Sequence, residues 1–311
     1  MSTSTTPSAA RFGRVVTAMV TPFDESGALD LTAAVELARW LADHGSDALV
    51  LSGSTGESSV LTDDEKSDLW RAVAEAVTIP VVAGTSSNDT EHSILMTARA
   101  KECGVDAVLL VAPYYNRPPQ AGIYEHFRVV AEAAGDLPAI LYDIPIRSGR
   151  RIAASTIVRL AHDVPNIVAL KDAAADPAGT AHLAPQLPAH FEIYSGDDVM
   201  TLPLLAVGAI GLISVASHWI GPQLGTVIED FLSGHLSRAI AGNADILDSI
   251  DFVSSDEYPN PMPAKAILRA LGFSVGQCRL PMGAAGTELD AQAAKVLAAV
   301  GPPSSTAQPL G

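Results

Sequence analysis

Lys171 is the residue on which chemistry could turn. It closes the apolar run Ile167 to Leu170 within the stretch Pro165 to Ala173. Lysine is seldom buried without a partner, and desolvation pulls an amine toward its neutral, nucleophilic form. The plain alternative is a lysine at a strand end whose head reaches water. Other reactive types are spread along the chain: Ser54 and Thr55 within Gly53-Ser54-Thr55-Gly56-Glu57, the pair Tyr114-Tyr115, Tyr142, Arg147, and Ser195-Gly196-Asp197-Asp198. An amine, phenols, hydroxyls and a guanidinium suit Schiff-base chemistry. The amine condenses with a ketone, and the iminium then acts as an electron sink. Phenols and a hydroxyl can relay protons. The Gly-Ser-Thr-Gly turn offers backbone N–H groups and two hydroxyls as an anion cradle. A cradle beside a ketone-binding amine points to an α-keto acid, and Arg147 can take a second carboxylate in bidentate fashion. To attack at neutral pH the amine must fall from its reference pKa to near 7, a destabilisation of the ammonium by about 4–5 kcal/mol.

Other chemistries lack their residues. No HExxH occurs, and Cys103 and Cys278 have no Cys or His at ligand spacing. The eight histidines are scattered, so neither a metal nor a histidine general base is expected. No Gly-Lys-Ser/Thr follows the cradle, so it is not a nucleotide P-loop.

The elements that must position these groups alternate. Short apolar runs are followed by helical patterns, one after another. The strands are read at Val15–Thr21, Ala48–Leu51, Pro80–Ala83, Ala107–Val111, Ala139–Tyr142, Ile167–Leu170, Phe191–Tyr194 and Leu212–Val215. Helices are read between them, for example Leu31–Asp43, then one capped by Thr62 with Glu65 as a capping box, and Asp89–Glu102. Almost wholly apolar strands are the mark of buried parallel sheet. Eight β/α units predict an α/β fold, a closed (β/α)₈ TIM barrel, over 11–233. A helical extension over 234–300 follows, with disordered segments at 1–10 and 301–311. In such barrels the site lies at the C-terminal ends of the strands, and the reactive residues named above fall there.

Composition narrows the partners. The 311 residues carry a formal net charge of −16. That disfavours nucleic acid and anionic membrane, which need a basic footprint. Two cysteines fit a reducing compartment. The first ten residues have no cationic or apolar segment of a signal peptide. The most apolar stretch, Leu202 to Ala216, is broken by Gly208 and Gly211 and is too short to span a bilayer. Asn88-Asp89-Thr90 reads as a turn into a helix rather than a glycosylation site.

Several motifs together resemble the dihydrodipicolinate synthase / N-acetylneuraminate lyase superfamily. They are Thr17 to Phe23, Gly53 to Ser58, Pro113 to Gln120, Tyr142 to Pro145 with Arg147-Ser148-Gly149, Lys171-Asp172, Ser195 to Asp198, and Asn260 to Lys265. Within the superfamily they are most similar to the 4-hydroxy-tetrahydrodipicolinate synthase family. The resemblance implies that Lys171 forms the Schiff base with pyruvate. Tyr142, Thr55 and Tyr115 would relay protons, Tyr115 reaching into a neighbouring subunit's site. Ser54 and Thr55 would hold the pyruvate carboxylate, Arg147 would bind that of L-aspartate 4-semialdehyde, and Gly196 and the Ile213 carbonyl would line the pocket. It further implies a cytoplasmic homotetramer in diaminopimelate and lysine biosynthesis, with no metal or organic cofactor. The alternative is a pyruvate-dependent aldolase or lyase acting on a sugar acid. Ser54 does not discriminate, whereas Arg147 argues for the synthases. Ile146 stands where a smaller residue is common and is expected to tighten the pocket. At the positions matching the lysine feedback site stand Asp63, Lys66 and His92, so weak or no inhibition by lysine is expected.

Overall fold

The computed structural model describes residues 10–300, so the segments expected to be disordered fall outside the described residues, Ala10 excepted. Eight strands close a parallel barrel in sequence order: β1 (Val15–Ala18), β2 (Ala48–Leu51), β3 (Val81–Gly84), β4 (Ala107–Val111), β5 (Ala139–Asp143), β6 (Ile167–Asp172), β7 (Glu192–Ser195) and β8 (Gly211–Ser214). β8 pairs with β1 and completes the ring. The connecting helices are α1 (Leu31–Asp43), α2 (Asp63–Ala74), α3 (Thr90–Glu102), α4 (Gln120–Ala133), α5 (Pro145–Ser148), α6 (Ala154–Asp163), α7 (Pro177–Leu183), α8 (Thr201–Leu205) and α9 (Ser217–Leu232). Beyond the barrel lie α10 (Leu236–Asp245), α11 (Leu247–Asp251), α12 (Met262–Ala270) and α13 (Thr287–Val300).

The helices start where local chemistry says they should. Thr62 and Glu65 form a reciprocal capping box on α2, and Asp89 caps α3 through the His92 N–H. The helical extension opens with two helices, α10 and α11, separated by a break at Ile246. α9 begins at Ser217, five residues before Pro222, because the chain kinks at Ile220 and Pro222 is tolerated beside that kink.

Strand alternation divides the core in two. Side chains such as Val16, Val50, Val82, Leu109, Ile140, Tyr142, Tyr194 and Ile213 fill the barrel interior. The larger set, including Leu49, Leu51, Trp70, Leu110, Leu141 and Leu170, packs between the sheet and the helices. Inward and outward residues alternate along the strands, except at Val168 and Ala169 of β6, which both join the interior set.

Candidate active site

Lys171 lies within β6 rather than after it, since the strand runs on to Asp172. Its neighbours in register are Tyr142 on β5 and Tyr194 on β7. Between β5 and β6 the register shifts: Ala139 faces Ile167, but Ile140 faces Ala169. The extra residue, Val168, bulges and resets the phase, so Ala169 and Lys171 follow Ile140 and Tyr142 on their side of the sheet. Asp172 takes the opposite side, as alternation requires. It accepts a hydrogen bond from Thr180 on α7 and another from the Ala174 N–H. The strand end that carries Lys171 is thus tied from outside.

The Lys171 amine stands 4.3 Å from the centroid of the Tyr142 ring. Burial lowers its pKa to about 8, with the Asp198 carboxylate opposing the shift, Arg147 adding to it and Asp197 opposing. Asp198 is itself buried and held by the Ser214 hydroxyl and the Val215 and Ala216 N–H groups. The amine is therefore poised by dryness, while a fixed carboxylate limits the drop. Tyr142 is pushed up to about 12 by burial, with a hydrogen bond to Ser54 working against it. Gly196 closes over Lys171. Its N–H donates to the Asp172 carbonyl at 2.7 Å. A Cβ there would meet Lys171 Cγ and Ala173 Cβ at 2.9 Å, so only glycine fits.

A cavity of about 350 Å³ opens above these groups. Ser54, Tyr142 and Arg147 line it, together with Val111, Tyr114, Ile144, Glu57 and Arg279. Lys171 and Thr55 do not line the cavity directly, but the Tyr142 ring that does lies against the amine. Ile213 is buried in the barrel interior on β8. Two expectations, for Thr55 and Ile146, are revised. Ser54, not Thr55, is the hydroxyl beside the Tyr142 phenol; the Thr55 oxygen instead accepts a hydrogen bond from Asn260 Nδ2 at 3.0 Å. Tyr115 does not join the site of its own chain: it is 89 % exposed, with φ at +71°. Ile146 is 90 % exposed and does not tighten the cavity, because α5 turns it outward while presenting Arg147.

The C-terminal segment contributes more than the sequence suggested. Lys265 of α12 is fully buried and forms an ion pair with Glu57 at 2.7 Å, while donating to the Gln277 carbonyl. The Arg279 N–H donates to the other Glu57 oxygen, and its guanidinium binds Glu65 and the Val60 carbonyl. Glu57 itself has a left-handed backbone at φ +55°, a strained state for a non-glycine residue that these partners hold in place. The signal for this was available: a lone cation within the buried run 262–268 of α12 needs a buried carboxylate, and Glu57 is that carboxylate. His218, next to β8, is not a proton carrier. Its Nδ1–H faces the Val215 carbonyl and its Nε2 accepts from the Val20 N–H, so burial keeps it neutral with a pKa of about 4.

The chain matches the model of the dihydrodipicolinate synthetase family over residues 11–300. It is 47% identical to the 4-hydroxy-tetrahydrodipicolinate synthase of Symbiobacterium thermophilum over 292 residues, which cover 93% of this chain and 98% of that one. It is 47% identical to the same-named protein of Desulforamulus reducens over 275 residues, 87% of this chain and 91% of the other. Among solved structures, that of DHDPS from Cyanidioschyzon merolae with lysine bound superposes with a TM-score of 0.89 at 44% identity, covering 93% of this chain and 98% of that one. With its barrel, its buried strand lysine and these relatives, the chain belongs to the dihydrodipicolinate synthetase family.

Proposed function

We propose that this enzyme condenses pyruvate with L-aspartate 4-semialdehyde to give 4-hydroxy-tetrahydrodipicolinate. The observation that carries this reading is a buried amine of lowered pKa against the Tyr142 ring, with Arg147 on the same cavity. The neutral Lys171 amine adds to the pyruvate ketone, and water leaves to give the protonated imine. Loss of a methyl proton gives the enamine, whose carbon attacks the aldehyde while the new alkoxide takes a proton. The amine of the second substrate then adds to the imine carbon, closes the ring and expels the Lys171 amine. Tyr142 and Ser54 stand where protons must move, and the Ser54–Thr55 turn holds the pyruvate carboxylate. Arg147 pairs with the carboxylate of the semialdehyde, which a sugar-acid aldolase would not require.

The working form is a homotetramer in the cytoplasm, and Tyr115 acts in the neighbouring subunit's site. Supporting this, Tyr115, Ile146 and Leu280 are large, exposed and apolar, and each flanks a cavity-lining residue: Tyr114, Arg147 and Pro281 respectively. Exposed apolar side chains gathered at one rim mark a surface meant to be covered. No helix among the described residues is long and apolar enough to cross a membrane. Lysine inhibits weakly or not at all, because His92 and Asp63 are engaged with each other at 3.0 Å. Half-inhibition at micromolar lysine would overturn that.

The test is a pair of assays with pyruvate, one supplying L-aspartate 4-semialdehyde and the other an aldehydic sugar. Turnover with the semialdehyde alone is expected. Turnover with the sugar alone would replace this reading by the sugar-acid aldolase.

A further inference from the structure

Asn260 lies in the C-terminal extension, between α11 and α12, yet it touches two parts of the site at once. Its Nδ2 donates to Thr55 Oγ1 at 3.0 Å, and its backbone carbonyl accepts from Arg147 Nη2 at 3.3 Å. The Thr55 contact is shielded, since Asn260 and Thr55 are both buried, while the Arg147 contact is partly so. A hydroxyl has one proton to give. Once Thr55 Oγ1 accepts from Asn260, its proton is left to point away from the amide. Asn260 Oδ1, also buried, takes no hydrogen bond from the described residues. A buried amide left half-paired costs stability and calls for a reason beyond packing.

We infer that Asn260 is a positioning residue: its side chain fixes the Thr55 hydroxyl as a donor to the keto-acid carboxylate, while its backbone carbonyl holds Arg147 for the second carboxylate. This rests on the keto-acid reading of the cradle. The two contacts leave from different parts of one residue, and that gives a signature. Truncating the side chain removes the Thr55 contact and keeps the carbonyl that Arg147 uses. The damage falls on the first substrate and spares the second. A residue that merely supported the fold would weaken both.

The test compares wild type, Asn260→Ala and Asn260→Asp in borohydride trapping of pyruvate on Lys171 and in steady-state kinetics with both substrates. For Asn260→Ala, half-trapping and the KM for pyruvate are expected to rise about five- to twentyfold, as one hydrogen bond to a charged group is weakened. The KM for the semialdehyde is expected to stay within about twofold. Asn260→Asp keeps the shape and covers the case in which the alanine variant does not fold; its loss is larger, because a carboxylate also repels the substrate anion. In a Thr55→Val background, Asn260→Ala is expected to add nothing, as two groups acting through one hydrogen bond are not additive. Unchanged pyruvate capture in both Asn260 variants, an equal rise in both KM values, or a full second loss in the Thr55→Val background would overturn the inference. Absence of any adduct in wild type would overturn the keto-acid reading and this inference together.

Discussion

The ammonium form of Lys171 is buried at a thermodynamic cost. Its pKa falls from the ordinary 10.5 to about 8 on folding, which corresponds to about 3 kcal/mol. Below pH 8 the amine is protonated in both states, and the folded protein bears the full penalty. Between about 8 and 10.5 the unfolded chain binds the extra proton, so stability rises with pH; above that window the penalty is gone. Lys171→Met is therefore expected to be more stable than wild type near pH 7 by up to about 3 kcal/mol, with no activity. Denaturant unfolding at pH 7 and pH 10.5 checks this, and an advantage that persists at the higher pH would contradict it. The same titration shapes capture. The rate of adduct formation is expected to climb as pH rises through about 8, where the amine becomes neutral, and then to level off. In the proposed reaction Arg147 serves the later step. Arg147→Ala is expected to keep the pyruvate adduct but to lose about a hundredfold or more in kcat/KM for the semialdehyde, the loss of a bidentate charged contact. Normal turnover in that variant would refute its role.

At the scale of elements, the cradle after β2 does not hold itself. The C-terminal segment grips it from one side through Lys265–Glu57, the Arg279 N–H and Asn260, and Thr21 binds the Gly56 carbonyl from the other. A broken buried pair leaves one charge without its partner. Lys265→Met is thus expected to cost about 3–5 kcal/mol, and removing Glu57 as well (Glu57→Gln) to restore part of it. Thermal and denaturant unfolding of the single and double variants checks this; equal stability of Lys265→Met and wild type would contradict it. This grip also shows where a sequence stops being legible. Apolar strands and capped helices carry their signals locally, so Ala48–Leu51, Ala107–Val111 and α1 could be read directly, and the barrel rule then placed Lys171, Tyr142 and Arg147 on one rim. The bulge at Val168 has no local signal. Nor does the choice between Ser54 and Thr55, because adjacent residues in a tight loop point in directions that only the loop's partners decide. Those partners lie more than 200 positions away: Asn260 for Thr55, Arg279 for Glu57.

For the whole molecule, one chain carries the amine, the phenol and the arginine, yet sends Tyr115 out into solvent. If Tyr115 serves a neighbour, two crippled chains should rescue each other. Mixing and reassembling Tyr115→Phe with Lys171→Ala is expected to recover a measurable part of wild-type activity, since some sites then combine an intact lysine with an intact tyrosine. No recovery from reassembled mixed oligomers would place Tyr115 outside the reaction. The acidic surface does not conflict with anionic substrates, because Arg147 and the cradle supply the local donors that the net charge of −16 lacks. The proposed reaction depends on one covalent bond. The direct measurement is borohydride reduction of the folded protein in the presence of pyruvate, followed by peptide mass analysis. A reduced pyruvyl adduct on Lys171, absent without pyruvate, is the predicted result; a folded protein with Lys171 unmodified would contradict the account.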